Sequence, residues 1–485
     1  MSMFRNRRLD ALSAAVVLIA ALCGQLADAA NMKVSNVAAV EDGNVRFDIS
    51  WDDSWRASWK EADIELTNWD AAWIFVKYRK QGEPHWNHAT LGGKDADHWA
   101  PEGAKINVGL TADKGMGVFL YRAAEGKGTW TNNGVKVKWL HKDDGVDDPA
   151  KAELCVHALE MVYVPRGAFK VGSGALSYIS GGSDRKQEAG SLAIGPWKHN
   201  DRTTHAPPFE ITGEAELKMA NAPGCLWGTF NMGPEGTLPA EFPKGHAAFY
   251  CMKYEMNQGQ YAAFLSQIAE PHAAKRYPRP TIPARFAGNG IHTVEKSATG
   301  YAASKPDRAC NWISWDDGAA YADWAAMRPM TELEYEKACR GPCKPVPCEY
   351  AWGIEPPNFE WADRIDVPPP VPYPVGICGP QGRAKAGSTY WGIATMSGHL
   401  RERTVTVGNV EGRAFKGTCG DGRLNGEGMA DVAGWPGPST AGIGFHGGPW
   451  YKDKVRLQVS DRFLAVCLRP QRSEFYGFRG VRQAP

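Results

Sequence analysis

The residues best suited to chemistry lie near the C-terminus. Gly447-Gly448-Pro449-Trp450 is followed by a basic and aromatic stretch that closes on Gly477-Phe478-Arg479. Paired glycines let a backbone turn tightly, as it must beside a pocket. We therefore expect the functional site of the chain in this stretch.

Cysteine is the second residue type that could do chemistry, and its number favours an oxidising compartment. Setting Cys23 aside as part of a leader leaves ten of the 11 cysteines, an even number. Cys339, Cys343 and Cys348 lie close together, but their spacing is not that of a zinc knuckle and no histidine completes one. The ten disulfide candidates are Cys155, Cys225, Cys251, Cys310, Cys339, Cys343, Cys348, Cys378, Cys419 and Cys467.

The N-terminus predicts export. Three arginines precede the apolar run from Ala11 to Cys23, and Ala27-Asp28-Ala29 supplies a cleavage site. We predict a signal peptide over residues 1–29 and a secreted, periplasmic or cell-surface protein. The run of about 13 residues is shorter than the ~20 that a spanning helix needs, so we expect no membrane span in the mature chain. Lipid attachment at Cys23 is an alternative that Leu22 disfavours.

Length and charge limit the architecture and the partners. The chain has 485 residues, enough for about two to three domains. Lys and Arg number 55 against 54 Asp and Glu, so the net charge of +1 gives no reason to expect a nucleic-acid partner.

Residues 30–150 predict a β-sandwich. Polar and apolar residues alternate in segments such as 45–51 and 73–79, between glycine-rich turns. The many tryptophans of this region could form a sugar-stacking surface, although core positions are the commoner use. The stretch 143–149 is rich in aspartate, but it lacks the spacing of an EF-hand calcium loop and is better interpreted as a linker.

Residues 151–485 predict a loop-rich domain with short amphipathic helices, so the fold class is α+β. Three helix starts carry a capping residue with a polar or acidic side chain three positions later. They are Asn257 with Gln260, Ser314 with Asp317, and Thr331 with Glu334.

Seven motifs of this second region, in order, resemble the signatures of the formylglycine-generating enzyme, or sulfatase-modifying factor, family. The resemblance spans roughly residues 159–482. The motifs are Glu255-Met256-Asn257-Gln258-Gly259-Gln260-Tyr261, Trp312-Ile313-Ser314-Trp315-Asp316-Asp317, Arg328-Pro329-Met330-Thr331-Glu332-Leu333-Glu334-Tyr335-Glu336, Tyr350-Ala351-Trp352-Gly353, Met396-Ser397-Gly398, Gly447-Gly448-Pro449-Trp450 and Gly477-Phe478-Arg479.

The resemblance implies an irregular C-type-lectin-like fold that is often stabilised by calcium. It does not fix the activity, because the family includes oxidases, iron-dependent sulfoxide synthases and proteins that only bind ligands. The iron-dependent branch would need a His/His/carboxylate set, for which His85 and His88 are poorly placed.

The resemblance also implies two thiols, with four residues between them, just after the Gly-Gly motif of the oxidases. Here those positions read Lys452 and Leu457, so copper(I) is not expected. Cys419 and Cys467 could form a displaced redox pair, but disulfide bonding explains them more simply. Calcium remains possible but doubtful, because the segment Gly398-His399-Leu400-Arg401-Glu402-Arg403 replaces the usual oxygen-rich signature.

What remains is a concentration of basic and aromatic residues where family members have their pocket. It would suit an anionic or sugar-like ligand, with Trp450 for stacking. Some arginines could instead be buried struts; we favour this for Arg462 and Arg479, with Asp461 and Glu474 as acidic partners. We predict a non-catalytic binding protein or a structural protein that self-assembles at the cell surface, with an oxidase acting through another site as the alternative. The predicted ligand-binding residues are His399, Arg401, Glu402, His446, Trp450, Lys452 and Arg456.

Overall fold

The structure is a computed structural model that describes residues 31–173, 192–195, 207–228, 232–278, 292–354, 373–437, 441–449, 454–467 and 469–485. The predicted signal peptide and the positions of Trp450 and Lys452 lie outside these ranges. Within them the chain is mixed α and β and rich in strands. No described helix has both the length and the apolar composition needed to cross a membrane.

A mixed sheet of 14 strands organises the described residues. Its first nine members in chain order are β1 (Lys33–Val40), β2 (Asn44–Glu61), β3 (Ile64–Arg79), β4 (Asn87–His88), β5 (Ala104–Thr111), β6 (Lys114–Arg122), β7 (Gly126–Lys138), β8 (Glu153–Val164) and β15 (Phe249–Met252). The other five are β18 (Arg328–Thr331), β19 (Arg401–Val405), β20 (Ile443–His446), β21 (Tyr476–Gly477) and β22 (Gly480–Gln483). The main path runs β1-β2-β3-β8-β15-β22-β18-β19-β20.

Smaller sheets complete the strand inventory of the described part. One sheet has four strands and two have two each. They contain β9 (Phe169–Val171), β10 (Leu192–Ile194), β11 (Phe209–Ile211), β12 (Leu217–Met219), β13 (Leu226–Gly228), β14 (Gly236–Leu238), β16 (Val294–Ser297) and β17 (Gly300–Ala303).

The large sheet continues across the predicted boundary near residue 150. β3 pairs with β8 over ten residue pairs, from Asp70 with Val162 to Arg79 with Glu153. Ile74 and Val76 pack toward β2 and β7. The alternate residues Trp73 and Phe75 pack toward the helices of the C-terminal region. The two predicted units therefore share one sheet, and the β-sandwich and the domain boundary near residue 150 stay predictions.

The six α-helices of the described part lie in the C-terminal region. They are α1 (Gln258–Gln267), α2 (Glu270–Arg276), α3 (Trp315–Trp324), α4 (Glu332–Arg340), α5 (Val375–Ala386) and α6 (Val410–Arg413). All three predicted capping residues are confirmed, because Asn257, Ser314 and Thr331 each begin a helix with a reciprocal capping box. In each box the N-cap side chain accepts from the third backbone N–H, and the third side chain accepts from the N-cap N–H.

The β2–β3 hairpin reaches over the C-terminal region and packs on α5. Trp59 Nε1 donates to the hydroxyl of Tyr390 at 3.0 Å, and that hydroxyl donates to Glu61 Oε2 at 2.8 Å. Gly376 at the start of α5 lies against the Trp59 indole so closely that a Cβ would overlap it. The tryptophans of this region thus serve mainly as core and contact residues; Trp99, which is 50% exposed, is an exception.

The disulfide prediction is wrong for nine of the ten candidates. No disulfide is formed by Cys225, Cys251, Cys310, Cys339, Cys343, Cys348, Cys378, Cys419 or Cys467, all of which lie in the described ranges. Cys155, whose Sγ lies 3.3 Å from His157 Nε2, is not among them. Several of these cysteines are packed in apolar clusters, where cysteine behaves as a small hydrophobic residue. An even number of cysteines in the sequence carries no information about such positions.

Candidate functional site

The predicted site is built around the antiparallel pair of β19 and β20. Glu402 lies directly opposite His446 in this pair. Gly447 and Gly448 follow β20 with φ values of 84° and 65°, a conformation that favours glycine. A Cβ on Gly448 would lie 2.6 Å from the carbonyl oxygen of Arg456. The glycine turn therefore brings β20 against the segment that carries Leu457.

Glu402 forms a buried ion pair with Arg479. Arg479 donates to Glu402 Oε1 from Nε at 2.9 Å and from Nη2 at 2.7 Å. It also donates to the carbonyls of Met252 and Ala394 and to the hydroxyl of Thr395. Burial outweighs the arginine and raises the pKa of Glu402 to about 7. The prediction that Arg479 is a strut is confirmed, and Glu402 is its partner.

Arg462 is the second confirmed strut, although its acidic partner differs from the predicted one. Its Nε and Nη2 donate to Glu332 at 2.8 and 3.1 Å. Glu332 also accepts from the hydroxyl of Thr406 and the N–H of Val407. Arg462 and hydrogen bonding keep the pKa of Glu332 well below its usual range, despite burial. The expected partner Asp461 is bound instead by Arg456.

His446 lies among three buried carboxylates. Its Nε2 is 3.8 Å from Glu332 Oε2, and its ring centroid is 4.8 Å from that of Tyr335. It is also close enough to influence the ionisation of Glu336 and Glu402. Glu336 is paired with Arg340 at 2.8 Å, so each carboxylate has its own arginine.

Two other predicted ligand-binding residues face carboxylates. His399 adopts a φ of 55°, and its Nδ1 lies 3.4 Å from Glu255 Oε2. Arg456 donates to Asp461 at 3.0 Å, and its guanidinium stacks 3.5 Å from the centre of the Phe463 ring. These contacts occupy groups that were predicted to bind an anion.

The arginines that flank Glu402 in sequence differ in exposure. Arg401 is half-buried, and its backbone N–H donates to the carbonyl of Phe475. Arg403 is fully buried against the Phe445 ring and donates to three backbone carbonyls, those of Ile313, Arg469 and Gln471. Arg403 is therefore a further strut, and Arg401 is the candidate of the two for a ligand.

The described donor set does not fit calcium or the iron-dependent branch. Glu402 Oε1 accepts twice from Arg479, and the imidazole of His399 faces Glu255. Calcium takes six to eight oxygen ligands, whereas Glu402 Oε2 is the one side-chain oxygen of the segment 398–403 that makes no hydrogen bond. His85 is exposed, while His88 is buried against Phe75. Across the described ranges, no three His, Cys, Asp or Glu side chains are arranged to hold a metal ion.

The thiols that could support redox chemistry are dispersed. Leu457 is 1% exposed, and its carbonyl accepts from the hydroxyl of Ser397 at 2.6 Å. Cys467 packs with Phe445 and Tyr476, whereas Cys419 is near Arg328 and Arg482. The structure thus does not bring Cys419 and Cys467 together as a pair.

One thiol pair beside the site was missed from the sequence. Cys343 and Cys348 have four residues between them and are half-buried. Their loop adjoins the segment after Leu457, because the N–H of Val459 donates to the carbonyl of Glu349 at 3.0 Å. The spacing equals that of the thiol pair implied by the family resemblance, and this spacing was the available signal. Burial raises the pKa of Cys343 to about 11, which leaves it protonated at neutral pH.

Comparison with known proteins places this architecture in a family. Residues 218–484 match the family described as the sulfatase-modifying factor enzyme 1-like domain. The chain belongs to this family. It is 28% identical over 177 residues to a formylglycine-generating enzyme of Thermomonospora curvata, covering 30% of this chain and 56% of that protein. It is 23% identical over 237 residues to a formylglycine-generating enzyme of Bos taurus, covering 39% of this chain and 60% of that protein.

The match to the sulfatase-modifying-factor family therefore covers the strands and helices that hold the candidate site. The chain spans between half and two thirds of the length of these two relatives. The acidic partners Glu255, Glu332 and Glu336 were not identified from sequence. Charged residues on a short helix are typical of a solvent-exposed face, but Glu332 and Glu336 of α4 are buried, each beside an arginine. Glu255, which precedes α1, is buried beside His399.

Proposed function

We propose that this chain is a non-catalytic member of the sulfatase-modifying-factor family that acts as an exported binding or structural protein. The observation that carries the proposal is Leu457, a buried aliphatic side chain where the resemblance places the second oxidase thiol. A leucine can neither bind copper(I) nor exchange with a substrate thiol. The frame around this position is retained, including the glycine turn and the pair of Glu402 with Arg479.

The proposed ligand is anionic or sugar-like. His399, His446 and Arg456 each face a carboxylate, which reduces their value for an anion. We therefore propose Arg401, Trp450 and Lys452 as the recognition residues, through a guanidinium, an aromatic face and an ammonium group.

A glycan and anionic-ligand screen on the full chain tests this proposal. We expect a binder whose affinity falls about two- to tenfold in Trp450→Ala, since stacking on an aromatic ring contributes about 0.5–1.5 kcal/mol. Trp99→Ala is the matched control, because Trp99 is exposed in the N-terminal region, and it should bind normally. A binder that tolerates Trp450→Ala would contradict the proposed binding residue. If no ligand binds, the structural alternative remains, and size measurements would then have to reveal self-assembly.

The second candidate function is formylglycine-generating oxidation through a non-standard site. Two observations favour it: both relatives are formylglycine-generating enzymes, and Cys343 and Cys348 have four residues between them beside the Leu457 segment. The raised pKa of Cys343 opposes it, because a thiolate is the species that binds copper(I). Conversion of a Cys-x-Pro-x-Arg peptide by the full chain, lost in Cys343→Ser with Cys348→Ser, would establish this candidate. Conversion that survives both substitutions would place the chemistry elsewhere.

A further inference from the structure

The floor of the candidate site has buried polar atoms that make no hydrogen bond. Within the described ranges, no hydrogen bond is made by either ring nitrogen of His446, by Glu336 Oε1, by Glu402 Oε2 or by Thr404 Oγ1. These four side chains are at most 3% exposed. A buried polar atom without a hydrogen bond is destabilising, so several together require an explanation.

These atoms belong to one place in the fold. Glu402 and Thr404 are two residues apart on β19 and therefore point to the same face, and His446 lies opposite Glu402 on β20. Glu336 is on α4, one turn after Glu332, whose Oε2 is 3.8 Å from His446 Nε2. α4 and the strand pair thus bring His446 and these carboxylates together.

The unused hydrogen-bonding capacity at this floor is mainly that of acceptors. The guanidinium groups of Arg479, Arg462 and Arg340 all donate to carboxylates, so these cations are already compensated. The remaining oxygens of Glu336 and Glu402 can accept hydrogen bonds and, when ionised, attract positive charge. An anion placed here would meet two carboxylate oxygens at close range.

We propose that the floor bounded by His446, Glu402, Glu336 and Thr404 binds the amine end of a small ligand. This inference rests on the proposed function and specifies the chemistry of one end of its ligand. The ammonium N–H groups donate to the free carboxylate oxygens and to the Thr404 hydroxyl, and His446 supplies a further acceptor nitrogen.

Thermal unfolding of the full chain with simple probes tests this inference. The probes are ethylammonium, tetramethylammonium and acetate, each at matched ionic strength. Tetramethylammonium has the charge of ethylammonium but no N–H group, so it separates hydrogen-bond donation from charge. We expect ethylammonium alone to raise the Tm saturably, by at least about 1 °C. No rise with ethylammonium, or an equal rise with either control ion, would refute the amine site.

Two variants locate the effect. His446→Phe keeps a ring beside Tyr335 but removes both nitrogens, and it should abolish the ethylammonium response. Thr404→Val is nearly isosteric and removes no hydrogen bond that the structure contains; it should weaken the response about fivefold, the effect of one hydrogen bond of about 1 kcal/mol. An unchanged response in Thr404→Val would contradict the site even if His446→Phe fails to fold.

The amine test and the test of the proposed function fail independently. Conversion of a cysteine peptide to an aldehyde would refute the non-catalytic function and leave the ethylammonium response unaffected. A Tm that does not rise with ethylammonium, or that rises equally with a control ion, would refute the amine site and leave the non-catalytic proposal intact.

Discussion

Replacing Glu402 with glutamine should change the pH dependence of stability in a defined direction. Burial raises the pKa of Glu402 to about 7, whereas its ordinary value is 4.5. A carboxyl group whose native pKa is raised favours the native state while it is protonated in that state and ionised in the unfolded chain. Its contribution is therefore complete below about pH 4.5 and is lost as the pH rises through about 7. The expected loss between pH 5 and pH 8 is about 2–3 kcal/mol.

The Glu402→Gln variant lacks this titration. Its free energy of unfolding, relative to that of the wild type, should rise by about 2–3 kcal/mol between pH 5 and pH 8. Urea unfolding at several pH values measures this difference, and subtraction of the two curves removes the titration of all other groups. Glu125→Gln is the control, because Glu125 is exposed, and its difference from the wild type should be constant.

A constant difference for Glu402→Gln would refute the reasoning. It would mean that Arg479, which donates to Glu402 Oε1 twice, keeps the carboxylate ionised over the whole range despite its burial. The pair would then be an ordinary buried ion pair, in which removal of one charge costs about 3–5 kcal/mol at every pH.

Two further predictions concern the packing of α5 on the β2–β3 hairpin and the buried carboxyl group of Asp323. Gly376→Ala should destabilise the protein by about 1–3 kcal/mol in urea unfolding, because the added Cβ would overlap the Trp59 indole. Gly426→Ala is the control and should be near neutral, because the space around Gly426 is open. Equal effects of the two substitutions would contradict the packing of α5 on Trp59. Burial raises the pKa of Asp323 to about 7, and its carboxylate accepts from the N–H of Asp421. The wild type should therefore lose stability as the pH rises from about 4 to 7, and Asp323→Asn should remove this loss. Parallel pH profiles of Asp323→Asn and wild type would show that Asp323 is already ionised at low pH.

Local rules predicted the helix starts but not the acidic partners of the site. A capping box depends on residues three positions apart, so Asn257, Ser314 and Thr331 could be identified from sequence. The pairing of Arg462 with Glu332 spans 130 residues, and only the fold brings the two together. Arg462 and Arg479 could be recognised as struts, but their partners could not.

The shared sheet was missed because a signal in β3 was interpreted too narrowly. Its central part reads Ala71-Ala72-Trp73-Ile74-Phe75-Val76, a continuous apolar run. Such a run is typical of a strand that is buried on both faces, whereas alternation indicates one buried face. β3 has both faces buried, one against β2 and β7 and the other against the C-terminal helices. Interpreted in this way, the run indicates a strand between two cores.

The central claim is that the chain has retained the pocket frame of its family without the oxidase chemistry. The most direct measurement incubates the full chain with a Cys-x-Pro-x-Arg peptide, copper and oxygen and follows the peptide mass. The formylglycine-generating enzyme of Thermomonospora curvata serves as the positive control. We predict conversion by the control and an unchanged peptide mass with this chain, since Leu457 cannot replace a thiol. Formation of the aldehyde by this chain would contradict the claim.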